Sequence, residues 1–302
     1  MKMKALSVAR AQESKLGSIE EDNLAMEIKR VTPILGAEIN GVDLSKPLSN
    51  AEFDTVHKAF VTHSVLIFRD QDLSAQNMID FSSQFGPLMI HVLKESLLEG
   101  HPEIYKLSNR RKKGKSEGRA YAGQYWHSDL TYEPRPSLGS LLYGIEVPEV
   151  GGDTLFASTA HAFETLSPTL QTMLEGLTAE HLFAHAFRGG INRAARDGDP
   201  LNERPAVHHP VVRPHSVTGR KSLFVNEGFT VRINELTPDE SSAMLSFLFN
   251  HITRPDVVLR HHWRPGDAIL WDNRALVHRG VNDYGDEDIR HMYRTTIEDR
   301  LA

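Results

Sequence analysis

WHSDLTY, residues 126–132, holds a histidine and an aspartate two positions apart and opens the part of the chain in which strands dominate. Residues two apart on a strand point to the same side, so His127 and Asp129 share a face if this stretch is extended. Downstream of it, strand-like runs recur around 138–147, 152–157, 207–213, 222–233, 257–263, 268–272 and 290–298. Two helices interrupt them. One starts at Ser167-Pro168 with Leu170, Met173, Leu174 and Leu177 as its apolar face; the other starts at Thr237-Pro238-Asp239-Glu240, a capping box with proline at the first helical position. Upstream, Met26, Ile28 and Val31 begin a strand-like stretch that runs into GAEINGVDL, residues 36–44. Ser49 and Glu52 form a second capping box ahead of Phe53, Val56 and Phe60. Val65 to Phe68 is an unbroken apolar run of strand length, and Met78, Phe81 and Phe85 mark an amphipathic helix with Gly86 as its stop. Many short strands with a minority of helices predict a mainly β fold with helical insertions around a double-stranded β-helix, or jelly-roll, core. The chain has no βαβ rhythm and no GxGxxG, which argues against a dinucleotide-binding fold.

The 302 residues fit one hydrophobic core, and we divide them into a mobile N-terminal extension over 1–23 and a single domain over 24–302. With 34 Lys and Arg against 40 Asp and Glu, the net charge of −6 argues against nucleic-acid or polybasic membrane binding. No run reaches transmembrane length, so a cytoplasmic protein with no membrane partner is expected. The absence of cysteine excludes disulfides, thiolate metal sites and cysteine nucleophiles. Sixteen histidines in such a chain point to metal chemistry with nitrogen and oxygen ligands.

The His127/Asp129 pair supplies two-thirds of a facial triad of two histidines and one carboxylate, which holds Fe(II) and leaves open positions. The third ligand must come from a distant histidine. His278, after an apolar strand and before a glycine, is the candidate. His208 and His209, like His261 and His262, are adjacent and point oppositely in a strand; His181 and His185 have helical i,i+4 spacing but no further ligand beside them. We read these six as core or surface residues. Arg290 and Arg294, four apart, share a face if their strand is regular, and two inward guanidiniums are costly unless each meets an anion. The basic stretch RRKKGKSEGRA, from Arg110 to Ala120, reads as a solvated loop rather than a cationic lid.

With these residues in view, the chain resembles the taurine/2,4-dichlorophenoxyacetate dioxygenase family of Fe(II)- and 2-oxoglutarate-dependent oxygenases. FRDQDLS, FSSQFGPL, WHSDLTY, EVPEVGGDTLFAS, HPVVRPHSVTGRKSLFVNE, PGDAILWDNRALVHRGVNDY and RHMYRTTI occur in the family's order over about nine-tenths of the chain. The intervals of 25 residues from Asp129 to Thr154 and 12 from His278 to Arg290 match it as well. The resemblance implies that His127, Asp129 and His278 ligate iron and form the catalytic centre. It implies that Arg290 and Thr154 bind the distal carboxylate of 2-oxoglutarate. It further implies that Arg294 and His91 hold the acidic group of the substrate, with Leu130 and Phe156 lining its pocket.

The cofactor and cosubstrates implied are Fe(II), 2-oxoglutarate and O2, and the reaction is hydroxylation of a small anionic substrate with release of succinate and CO2. A homo-oligomer, dimer or tetramer, is also expected. The carboxylate ligand Asp129 argues against halogenating relatives, which lack it. Gly123 and Lys94 stand where taurine enzymes carry an asparagine and a tyrosine, and residues 106–122 are longer and more basic. A sulfonate, alkyl sulfate or carboxylate with an apolar tail is therefore expected ahead of taurine. Two rival classes use the same residues differently: a zinc hydrolase with two histidine ligands and one carboxylate, and a non-catalytic jelly-roll binding protein.

Overall fold

The strands Val65–Phe68 and Ala268–Asp272, apolar but for the terminal Asp272, pair antiparallel, with Leu66 opposite Leu270, and every residue of both is buried. In a strand covered on one face only, alternate residues would be polar; a continuous apolar run requires cover on both. The computed structural model, which describes residues 26–112, 114–187, 204–285 and 287–300, shows both covers. The extension expected over 1–23 lies outside the described residues.

The two runs sit inside an eight-stranded sheet ordered Glu27–Arg30, Ala37–Asn40, Val65–Phe68, Ala268–Asp272, Ser137–Glu146, His291–Glu298, His101–Ser108 and Leu97–Leu98. On its outer face Leu66, Phe68, Leu141, Leu270 and Ile297 pack against helices α1 (Asn50–His63) and α2 (Ala75–Ser83), which contribute Val56, Phe60, Met78 and Phe81. On its inner face Val65, Ile67, Leu142, Ile269, Trp271 and Met292 meet Phe156, Leu259 and Leu276 of a second sheet. That sheet has three antiparallel strands, Val258–His261, Thr154–Ser158 and Leu276–Gly280, with the Thr154–Ser158 strand in the middle. Its own back, Ala157 and Val277, is sealed by a separate apolar cluster with Phe163 of α3 (Thr159–Glu164), Leu174 of α4 (Pro168–Leu174) and Leu245, Leu248 and Ile252 of α5 (Pro238–Ile252). Two facing sheets with helices outside make the fold mainly β with helical insertions, as a jelly-roll core requires.

The local signals held where they were self-contained. The Ser49/Glu52 and Thr237/Glu240 capping boxes both form and start their helices. Four readings are corrected. Helix α4 ends at Leu174, so Leu177 lies beyond it, and Met173 is 39% exposed, because two turns bury only the Leu170/Leu174 side. Helix α2 ends at Ser83; Gly86 serves close packing instead, since a Cβ there would stand 3.2 Å from Ile297 Cγ2. His181 ends a strand, Thr178–His181, and His185 lies in the short 3-10 helix Phe183–Phe187, so the two never share a helix face. The basic stretch after Ser108 folds back as a hairpin of two-residue strands, Arg111–Lys112 and Lys115–Ser116. Among the described residues, no helix is long and apolar enough to cross a membrane.

Candidate active site

A pair of backbone hydrogen bonds brings the two distant histidines together. His127 donates its N–H to the His278 carbonyl at 3.0 Å, and His278 returns one to the His127 carbonyl at 2.7 Å. Residues that exchange both bonds sit directly opposite in an antiparallel pair, with side chains on one side of the ladder. The HxD segment is thus laid along the edge of the three-stranded sheet. The rings of His127 and His278 stand 4.2 Å apart, centre to centre. Asp129, two positions along, turns its carboxylate to both: Oδ1 is 3.8 Å from His127 Nε2 and Oδ2 is 3.9 Å from His278 Nε2. One ligand atom from each of the three lies within 4.8 Å of the others, and all three residues are buried.

The hydrogen bonds around the triad prepare it for a cation. His127 Nδ1 lies 2.9 Å from the Tyr125 carbonyl, which fixes the proton on Nδ1 and leaves the Nε2 lone pair toward Asp129. Burial pushes both imidazoles down, His278 well below its ordinary value with the neighbouring His127 ring adding to the effect, so both are neutral donors. Burial alone would raise the Asp129 carboxyl. The Arg294 guanidinium, the two imidazoles and the Ser140 hydroxyl outweigh it and hold the group well below the ordinary carboxylate range. Ser140 Oγ donates to Asp129 Oδ2 at 2.7 Å, and Arg294 Nη1 donates to Oδ1 at 2.9 Å. Two neutral imidazoles and one ionised carboxylate in a buried cluster are the donor set that suits Fe(II).

Around the triad lies a cavity lined by Arg290, Arg294, Thr154, His91 and Leu130, among others, and so the structure brings together all but one of the expected site residues. Arg290 stands one position before its strand, His291–Glu298, and a register shift falls between His291 and Met292; both arginines nonetheless reach the cavity. The half-buried Arg290 donates from Nε to the Gly152 carbonyl at 2.9 Å and forms no ion pair among the described residues. Thr154 Oγ1 accepts a hydrogen bond from Trp263 Nε1 at 3.0 Å, which leaves the hydroxyl proton to be donated elsewhere. Leu130 adopts a left-handed conformation, φ 60°, unusual for a branched side chain. Phe156 is the exception. It is fully buried between the sheets, opposite His278 on the neighbouring strand, and its ring backs the His278 ring at 6.2 Å instead of lining the cavity. Lys94 is exposed, whereas Gly123 lines the cavity.

Comparison with known proteins agrees with this geometry. The family model described as "Taurine catabolism dioxygenase TauD, TfdA family" matches residues 27–296. The chain belongs to that family. It is 34% identical over 280 residues to an alpha-ketoglutarate-dependent sulfonate dioxygenase of Saccharomyces cerevisiae, covering 90% of this chain and 66% of the relative. It is also 34% identical over 281 residues to the alpha-ketoglutarate-dependent 2,4-dichlorophenoxyacetate dioxygenase of Cupriavidus pinatubonensis, covering 89% of this chain and 97% of that one. Among solved structures, a taurine dioxygenase from Burkholderia xenovorans superposes with a TM-score of 0.77 at 32% identity, covering 90% of each chain. The protein is a 2-oxoglutarate-dependent dioxygenase, its family works with Fe(II), 2-oxoglutarate and O2, and His127, Asp129 and His278 are its metal-binding triad. The hydrolase and binding-protein alternatives fall with that membership.

Several residues of the dioxygenase site escaped the sequence reading. Asn273 accepts from the Trp271 indole at 2.9 Å and from the Asp129 backbone N–H at 3.2 Å, and donates to Ser137 Oγ at 2.8 Å. It positions the backbone that carries the carboxylate. Tyr125, Tyr132, Phe183 and Phe229 form an aromatic wall, with Tyr132 4.8 Å from Phe183 and 4.7 Å from Phe229. Gly123 has φ +69°, and a Cβ there would stand 2.8 Å from His127 Cε1. Gly123→Ala should therefore cost about 1–3 kcal/mol of stability through crowding and backbone strain and should weaken Fe(II) binding by tilting the ring. Melting curves and an anaerobic Fe(II) titration would measure both, and an Ala variant with wild-type metal affinity would show that the ring has room to move.

Proposed function

We propose that this dioxygenase hydroxylates a small organic acid with an apolar tail, a sulfonate, alkyl sulfate or carboxylate, while 2-oxoglutarate is converted to succinate and CO2. The observation that carries the reading is the meeting of two arginines, a metal triad and an aromatic wall in one cavity. Two anions need two cationic partners. Arg290, with no ion pair of its own among the described residues and Thr154 beside the same cavity, suits the distal carboxylate of 2-oxoglutarate. Arg294, 7% exposed, suits the acidic head of the substrate, and His91 adds a donor. The imidazole of His91 stacks on Tyr105 at 4.1 Å, and its Nδ1 accepts from the Leu93 N–H, so Nε2 carries the proton. Burial, with Arg294 nearby, pushes its pKa down to about 3, so it donates as a neutral ring at neutral pH.

Leu130, Phe183, Phe229 and Tyr132 are left to enclose the tail and keep water from the reacting carbon. Fe(II) with O2 and 2-oxoglutarate supplies the oxidising power, and the protein's residues supply ligation, orientation and exclusion of water. The two relatives support the acid, since their names give a sulfonate and 2,4-dichlorophenoxyacetate as substrates. We further place the enzyme in the cytoplasm as a single-domain homo-oligomer, dimer or tetramer, with no nucleic-acid or membrane partner.

The test is Fe(II)-dependent succinate release across alkyl sulfonates, alkyl sulfates, phenoxyalkanoates and short carboxylates, with taurine and neutral alcohols beside them. Acids with apolar tails should stimulate release well above taurine, because Gly123 lines the cavity where taurine enzymes carry an asparagine, and Lys94, in place of their tyrosine, is exposed. Equal stimulation by neutral analogues would defeat the anionic-substrate reading.

A further inference from the structure

Arg119 closes the basic stretch that the sequence reading assigned to solvent, yet it lines the cavity with Arg294, His91 and Tyr105. Its position is fixed by the backbone. Arg119 donates its N–H to the Lys106 carbonyl at 3.0 Å, and its own carbonyl accepts from the Ser108 N–H at 3.1 Å. Gly118 makes that approach possible, since a Cβ there would stand 2.6 Å from Lys106 O and 2.8 Å from Lys106 Cβ. The Ser116 hydroxyl donates to the Gly118 carbonyl at 2.6 Å and tightens the same turn. The hairpin is therefore clamped to the strand that carries Tyr105 and Leu107, and it delivers a guanidinium rather than waving one in solvent.

Three donors from three segments gather around Tyr105. His91 stacks on its ring and presents Nε2–H. The Arg294 guanidinium stands 5.3 Å from the ring centre; its Nη1 is taken by Asp129, while its buried Nε has no hydrogen-bond partner among the described residues. Arg119 is the third. Its proximity is felt electrically: burial raises the Tyr105 phenol, and Arg119, followed by Arg294, is the main influence opposing it.

We infer that Arg119 reads the substrate's head group and, with Arg294 and His91, selects a three-oxygen anion, a sulfonate or sulfate, over a carboxylate. This rests on the dioxygenase reading above and refines its substrate. A planar carboxylate offers two oxygens in one plane, which one guanidinium fork satisfies. A tetrahedral head turns three oxygens in three directions and uses donors from three sides.

The matched pair 1-butanesulfonate and pentanoate, with the same four-carbon tail, tests the inference. Their affinities would be measured by calorimetry on the Fe(II)-loaded protein with 2-oxoglutarate, without oxygen, and succinate release would be followed separately in air. Wild type should bind the sulfonate more tightly. Arg119→Gln should lose about tenfold or more in sulfonate affinity, with pentanoate and 2-oxoglutarate changed far less; Arg119→Lys, which keeps charge without the fork, should recover part of it. Equal losses for both acids, unchanged sulfonate affinity, or a loss confined to 2-oxoglutarate would each overturn the assignment. Wild type that turns over both acids without preference overturns only the head-group selection, whereas wild type that binds neither and forms no succinate with any acid overturns the underlying substrate reading.

Discussion

His278→Ala is expected to abolish Fe(II)-dependent succinate formation while leaving the protein folded. The reason for the separation lies in the backbone. The bonds that join His127 to His278 are main-chain bonds, so the ladder survives loss of the imidazole. The cation does not survive it as well. Loss of a residue that only orients a metal ligand costs 10–100-fold in affinity as a typical magnitude, and loss of a ligand should exceed roughly a hundredfold. Asp129→Ala should differ in kind, because Arg294 would be left buried with its Nη1 partner gone. Breaking one side of a buried pair costs about 3–5 kcal/mol, so this variant should melt lower as well as lose metal. His208→Ala and His262→Ala should bind iron as wild type does: both side chains are exposed and stand apart from the triad. An anaerobic Fe(II) titration with melting curves checks the set, and full iron affinity in His278→Ala would remove it from the triad.

The contrast between what was legible and what was not follows the range of each interaction. Capping boxes at Ser49 and Thr237 were legible because their partners lie three residues away. The runs Val65–Phe68 and Ala268–Asp272 were legible as strands because cover on both faces writes an unbroken apolar run into the sequence. The HxD pair announced two ligands for the same local reason. The choice of His278 over other histidines depends on a ladder contact between segments far apart in the chain; its flanking apolar strand and glycine pointed to it only indirectly, and the resemblance to a family added to that reading. Phe156 shows the limit of that transfer. It is the Cα partner of His278 and shares its face, yet Trp271 stands 5.8 Å from its ring and the sheet interface claims it. Asn273 and Trp263 gave no sequence signal, because a positioning hydrogen bond leaves no periodicity. Arg119 gave the wrong one: charge density alone suggested solvent, and only the clash that any side chain at position 118 would cause reveals a clamped turn.

Arg290→Ala should raise the 2-oxoglutarate requirement more than any other change at the cosubstrate end. Its backbone N–H is held by Asn109 Oδ1 at 2.8 Å and its Nε by the Gly152 carbonyl at 2.9 Å, which aligns the rest of the fork without using it. Burial pushes the guanidinium's pKa down from its ordinary value, the mark of a cation whose charge the fold alone under-compensates. A distal carboxylate would supply that compensation. Losing a charge-assisted pair in such a place costs about 2–5 kcal/mol, so KM for 2-oxoglutarate should rise roughly thirtyfold or more. Thr154→Ala removes a neutral contact of about 1 kcal/mol and should raise KM only roughly fivefold. Because Trp263 Nε1 donates to Thr154 Oγ1, the Ala variant also strands a buried indole N–H, so its melting temperature should fall as well. Arg290→Lys separates charge from geometry: it keeps the cation, loses the fork and should fall between Ala and wild type. Near-equal KM values for wild type and Arg290→Ala, measured with a saturating acidic substrate, would mean that the distal carboxylate is held elsewhere in the cavity, with Arg119 the next cation to test.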